Sequence, residues 1–287
     1  MSYQTPRAFR TALEQRLLTR SRATDISLDR LRRRVVFERL VARLETAEPG
    51  RWVIKGGMAL EVRLDDKARV TKDLDLGLRD GVASAEDLHE RLVDVLGTDP
   101  HGDFFVITAT LPVQLGEDGG GHVTWRLHVT AKLAGTMFGG MQLDISPRAH
   151  ELTATDRVML PNSLAFAEVP QIEVEIVDVN RHAAEKLHAL TREFGDRDNS
   201  RVRDLVDVVL LVEHEMLTPD AVAAAVIGVW AEREQAMPPK RMPPLPESWP
   251  TRYELSANEH GLDTVAFPDA VALVDELWHA MFPNEEI

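Results

Sequence analysis

The chain has 287 residues, 44% of them hydrophobic and 28% charged, which is the composition of a soluble globular protein of one large or two ordinary domains. It contains no cysteine, so disulfide frameworks, thiolate metal sites and cysteine nucleophiles are excluded. No apolar run nears the roughly 20 residues of a membrane span, and the opening MSYQTPRAFRTALEQRLL lacks the apolar core and cleavage site of a signal peptide, so the expected compartment is the cytoplasm.

The net charge of −14 argues against nonspecific wrapping of nucleic acid, but the charge is uneven. Residues 1–43 hold eleven arginines, no lysine and four acids, a local balance of +7 that leaves −21 for the rest. Such an arm reads either as a solvated amphipathic helix whose arginines also pair with acids or as an edge that touches a polyanion. Residues 28–47 predict an amphipathic helix, with Leu28, Leu31, Val35, Leu40 and Leu44 near one stripe and arginines opposite. WVIK (52–55) predicts a short buried strand ending at a Gly56–Gly57 turn, and MALEVRL the helix after it. DLDLGL (73–78) alternates, which puts Asp73 and Asp75 on one face. SAEDLHERLVDVLG (84–97) carries a capping pattern and a glycine stop.

The stretches 104–113, 124–133, 140–147 and 171–177 predict strands, with GEDGGGH (116–122) as a hairpin loop. Helices are expected at 178–194, 201–216 and 219–234, with DRDNS breaking the first two apart. Six prolines in MPPKRMPPLPESWP (237–250) predict an extended strap or linker before a last helix near 268–282. The expected plan is α+β: an α/β domain over 1–177, with Arg-rich helices at its start, and a helical domain over 178–287.

Two aspartates two residues apart on one strand face repel unless a cation lies between them. A hard divalent cation such as Mg²⁺, or Mn²⁺, suits such oxygen donors. Asp144 in MQLDIS offers a third carboxylate with the same orientation against its apolar neighbours. A strand, a glycine turn, a short helix, an Asp-x-Asp strand and a later single-Asp strand together resemble the nucleotidyltransferase fold of the DNA polymerase β superfamily, in which a helix start meets the triphosphate.

Over about residues 30–215 the motifs VIKGGMALEVRL, RVTKDLDLGL, MQLDIS, HAAEKLHALTRE and RVRDLVDVVLL, in that order, resemble the AbiEii-type nucleotidyltransferase toxins, including the mycobacterial MenT group. The resemblance implies a mixed sheet with flanking helices, Mg²⁺ on Asp73 and Asp75 with Asp144 as third ligand, and Arg69 and Thr71 ahead of the acidic motif. It implies Gly56 and Gly57, with Lys55 beside them, at the triphosphate, and Arg69 and Thr71 as substrate-binding residues, Arg69 as a phosphate ligand. It places Lys186 against triphosphate oxygens and an essential aspartate at Asp204 or Asp207. It further implies a nucleoside triphosphate substrate, an RNA acceptor with the tRNA 3′ end as the best single choice, a block of translation, and a cognate antitoxin. The N-terminal arginines are then a candidate RNA contact, and a phosphate or nucleotide on Thr71 a candidate means of silencing.

Plainer readings stand beside these. Lys186 can pair with Glu185 or Glu193, Asp204 can favour its helix start, Asp207 can pair with Arg203, and Arg69 can neutralise Asp65 and Asp66. Lys55 reads equally as a strand-end charge. No His-x-x-x-His, Gly-x-Ser-x-Gly or P-loop is present, so no zinc site, serine hydrolase or P-loop enzyme is expected. A small-molecule (aminoglycoside-type) transferase, or a non-catalytic nucleotide-binding protein of the same fold, are the alternatives.

Overall fold

The β-branched and alternating runs form strands β1 (Trp52–Lys55), β2 (Asp73–Leu78), β3 (Phe105–Ala109), β4 (Val113–Leu115), β5 (Thr124–Leu133), β6 (Thr136–Ser146), β7 (Thr155–Met159) and β8 (Glu173–Val177). The computed structural model describes residues 3–69, 71, 73–116, 123–192 and 199–283, with Asp66 in its backbone alone. The expected loop from residue 117, the break at 196–198 and Glu193 lie outside the described residues.

The strands build one mixed sheet in the order β3-β5-β6-β2-β1-β8-β7, with β4 paired to β5. The central pairs decide where functional groups fall. β2 runs antiparallel to β1 and parallel to β6, while β6 runs antiparallel to β5. Leu74, Leu76, Leu143, Ile145, Leu127 and Val129 point into the core, so the alternate residues of the same strands share the opposite face.

Helices α1 (Pro6–Thr24), α2 (Leu28–Ala47), α3 (Gly56–Leu64) and α4 (Ala85–Gly97) accompany the sheet. Ser84 caps α4 by accepting from the Asp87 amide, as its sequence requires. Three details depart from the reading above. Gly56 and Gly57 are the first residues of α3 rather than a turn before Met58. The run 104–113 splits into β3 and β4, since Pro112 has no N–H for the ladder. Strand β7 was not foreseen, because TDRVM lacks a clear apolar alternation.

From Arg34 to Leu44 the polar side of α2 is buried. Arg34, Arg39, Arg43 and Glu38 are all buried, and buried charge persists only when paired. Arg43 donates to both oxygens of Asp103 at 2.9 and 2.7 Å and to the Phe105 carbonyl at 3.1 Å. Arg32 is bound to Glu14, and Arg34 lies 3.7 Å from Glu61. On α1, Arg10 donates to the carbonyls of Leu133 and Met137, and Arg16 stacks over Phe166. Arg34, Arg39 and Arg43 of the Arg-rich arm are thus internal, Arg32 and Arg33 pair with Glu14 and Asp29 as the plainer reading expects, and Arg7, Arg16 and Arg22 remain exposed.

The chain divides into two compact units, Met1–Val62 with Val70–Ile176, and Arg63–Arg69 with Val177–Ile287. In the second, helices α5 (Val179–Thr191), α6 (Val202–Glu213), α7 (Pro219–Glu234), α8 (Pro250–His260) and α9 (Phe267–Met281) pack around Leu187, Leu205, Val226, Trp249, Tyr253 and Trp278. Asn199 ends α5 by donating to the carbonyls of Ala189, Leu190 and Arg192, and its own carbonyl accepts from the Trp249 indole at 2.7 Å. The proline-rich stretch before α8 has neither helix nor strand and is tied by the Trp278 indole to the Pro239 carbonyl. Helix α8 was hidden behind those prolines, since Pro250 sits at its first turn, where proline is tolerated. Among the described residues no helix is long and apolar enough to cross a membrane.

Glu38 offers a test of this packing. Its carboxylate accepts from the Ser163 amide and hydroxyl, both at 2.7 Å, yet burial pushes its pKa up to about 7. The folded state thus holds a proton that the unfolded chain releases near 4.5, so this stabilising contribution is complete below that pH and is lost as pH rises through 7. The expected result in urea unfolding is that Glu38→Gln gains on the wild type by up to about 3 kcal/mol between pH 5 and 8. A difference that does not change with pH would contradict it.

Candidate active site

Strand register gathers the carboxylates that the sequence could only suggest. Asp75 stands directly beside Asp144 across the parallel β2–β6 pair, and beside Lys55 across the antiparallel β1–β2 pair. Asp144 in turn stands opposite Arg126 across β5–β6. The row Lys55–Asp75–Asp144–Arg126 therefore crosses four strands with two anions between two cations. Asp73, exposed at the start of β2, belongs to the next row with Gln142 and His128.

Arg126 donates to both oxygens of Asp144, at 2.8 and 2.7 Å. Those hydrogen bonds, with the charges of Asp144, Asp73 and Asp75, hold its pKa above the ordinary arginine value. Lys55 donates to Glu151 at 2.9 Å, and Arg148 reaches the other oxygen of that buried carboxylate at 3.2 Å. Sequence reasoning missed Arg126 and Glu151. The alternation of TWRLHVTAKL does place Arg126 on the outer face, but only the hairpin register sets it against Asp144.

Gly56 has a reason to be glycine. Its φ is +59°, and a Cβ there would overlap the Asp75 carboxylate, coming within 2.8 Å of its Cγ. The start of α3 thus packs directly on Asp75, with Gly57 buried behind. Thr71 donates its hydroxyl to the Asp73 carbonyl at 3.2 Å and so braces the entry to β2.

The remaining sequence-derived site residues meet in the second unit. Lys186, buried on α5, donates to Asp204 Oδ1 at 3.0 Å and to Asp207 Oδ2 at 2.6 Å, both on α6. Arg69 forks onto Asp207 at 2.7 and 2.9 Å, and Arg201 lies 2.6 Å from Asp204. Burial works to lower the Lys186 pKa, but Asp207 and Asp204 outweigh it and the ammonium is held above its ordinary value. Burial likewise works to raise the Asp204 pKa, and Lys186 and Arg201 outweigh it. Both partners are therefore charged. Glu185, the simpler partner suggested for Lys186, instead receives Arg181 at 3.1 Å.

Among the described residues no group of three or more histidine, aspartate or glutamate side chains forms a ready metal cage. The fit is of another kind. Mg²⁺ takes few protein carboxylates and completes its shell with water and substrate phosphates, and Asp75 and Asp144 in register, with Asp73 on the same face, supply hard oxygen donors of that sort.

A mixed sheet flanked by helices, with an Asp-x-Asp strand against a single-Asp strand and a glycine-led helix beside Asp75, is the arrangement that the nucleotidyltransferase resemblance implies. The fold is similar to that of MenT4, a nucleotidyltransferase toxin from Mycobacterium tuberculosis H37Rv, with a TM-score of 0.55 at 17% identity over 99% of this chain and 91% of that one. A putative nucleotidyltransferase from H. pylori also aligns, with a TM-score of 0.48 at 17% identity over 91% of this chain and 100% of that one. No curated protein sequence matches. The model of the family described as "Nucleotidyl transferase AbiEii toxin, Type IV TA system" matches residues 38–283, and the chain belongs to that family.

The two clusters should respond differently to truncation. Asp207→Ala leaves Arg69 and the buried Lys186 short of an anion and is expected to lower unfolding free energy by about 3–5 kcal/mol. Asp73→Ala, at an exposed strand end, is expected to change it by less than about 0.5 kcal/mol. Chemical denaturation measures both, and equal losses would contradict the division of roles.

Proposed function

We propose that the chain transfers a nucleoside monophosphate from a nucleoside triphosphate to RNA, with the tRNA 3′ end as acceptor and a block of translation as the consequence. The observation that carries this reading is the register row in which Asp75 and Asp144 lie side by side, with Asp73 next to them and the start of α3 against Asp75. Mg²⁺ held by Asp73, Asp75 and Asp144 would supply charge neutralisation at the phosphate oxygens. The amides of the α3 start, at the positive end of its dipole, suit the triphosphate.

Lys55 and Arg126 flank the carboxylates and stand where phosphate charge would gather. Thr71 fixes the backbone that presents Asp73. The acceptor hydroxyl attacks the α-phosphorus and pyrophosphate leaves. For Lys186, Asp204 and Asp207, in the second unit, the proposed role rests on the family motif alone: Lys186 as the cation for triphosphate charge, the aspartates holding it, and one of them as the essential acid. Membership of a toxin–antitoxin family implies an antitoxin as protein partner.

The test is incubation with each α-labelled triphosphate, Mg²⁺ and total RNA, followed by sizing of the labelled product. Label is expected in RNA of tRNA size, and Asp75→Asn is expected to reduce its rate by about 10²–10³-fold. Full transfer by Asp75→Asn would contradict the mechanism. The net charge of −14 also suits a cationic small acceptor, so an aminoglycoside belongs in the panel; label there and not in RNA would move the acceptor to that class.

A further inference from the structure

Resting on the transfer to RNA proposed above, we infer that the outer face of β5 is the track along which the acceptor's terminal single strand approaches the carboxylates. Trp125, Leu127, Val129, Ala131 and Leu133 point into the core, so Arg126, His128, Thr130 and Lys132 point outward, and Arg126, His128 and Lys132 are exposed. Arg126 ends the track at the catalytic row through its fork on Asp144. His128 stands one step further on, beside Gln142, and Lys132 lies past a register shift at the hairpin end, opposite Met137. The span from Arg126 to Lys132 is about 20 Å at the rise of a strand.

The charge of this face is what selects its occupant. The chain as a whole carries −14, yet the outward positions of β3 and β5 contain no acid. On β3 they are Val106 and Thr108, and on β5 they add only threonines to the three basic side chains. An acid-free strip on an acidic protein, beginning at paired aspartates, fits a polyanion that has one end at the reacting centre. Hydroxyls and cations on an open strand reach a sugar–phosphate backbone, and at 44% side-chain exposure Arg126 can reach a phosphate without leaving Asp144. Arg34, Arg39 and Arg43 of α2 cannot serve this role, since they are buried.

The experiment compares wild type with Lys132→Glu and with the double variant His128→Gln/Lys132→Gln. It reads transfer from labelled triphosphate to RNA and the anisotropy of a fluorescent single-stranded RNA across a salt series. The expected result is a rise in RNA KM of about tenfold or more in Lys132→Glu, with kcat and triphosphate affinity unchanged. The slope of log affinity against log salt should fall by about 0.7 on removal of the Lys132 cation. If the wild type labels RNA and both variants match it in KM and salt slope, the track is wrong while the proposed reaction stands. If the wild type labels no RNA, the proposed reaction fails and takes the track with it.

Discussion

The structure turns on how one sheet face tolerates aspartates side by side. Two carboxylates in register on adjacent strands repel, and strands are poor hosts for aspartate in any case. Here the sheet answers with cations in the same row, Lys55 on the β1 side and Arg126 on the β5 side. The remaining geometry follows from keeping those carboxylates in place. β2 pairs with β6 in the register that opposes Asp75 to Asp144, and α3 begins on a residue whose missing Cβ leaves room for Asp75. Such an arrangement costs stability locally and is the kind of concentrated like charge that a cation and phosphates relieve.

The second unit solves an opposite problem. Lys186, Asp204 and Asp207 are removed from water, so they survive only with charged partners. Lys186, Arg69 and Arg201 meet Asp204 and Asp207 with every contact between 2.6 and 3.0 Å. The set joins α5 to α6 and fastens Arg69, in the segment Arg63–Arg69, to the same helix. Removing one member leaves its partners buried and uncompensated, which is costlier than the pair is stabilising. Arg43 and Asp103 repeat this logic in the first unit, where burial converts an Arg-rich segment from a presumptive surface into structure.

Much of the fold was legible in the sequence because its elements carry clean local signals. The alternation of DLDLGL and TWRLHVTAKL gave β2 and β5 with their bounds, and Leu28–Ala47 emerged as one helix. Boundaries failed where one residue type has two meanings. Pro250 closes a proline run and also opens α8, and the Gly56–Gly57 pair reads as a turn while opening α3. Within the candidate site, Asp73, Asp75 and Asp144 were visible because acids on strands are rare. Arg126 and Glu151 were not, since their meaning lies in partners 18 and 96 residues away along the chain. That arginines of α2 pair with acids was expected, but only packing shows that the acids are Asp103 and Glu61 and that the pairs are buried.

The central claim is that the paired carboxylates form the metal and triphosphate seat. Equilibrium binding of Mn²⁺, followed by its paramagnetic resonance in the presence of a non-hydrolysable nucleoside triphosphate, addresses that seat without requiring turnover or knowledge of the acceptor. The account expects the wild type to bind the ion with the triphosphate, and Asp75→Asn and Asp144→Asn each to weaken that binding by about tenfold or more. Identical Mn²⁺ binding by wild type and an Asp75→Asn/Asp144→Asn double variant that retains its fold would contradict it.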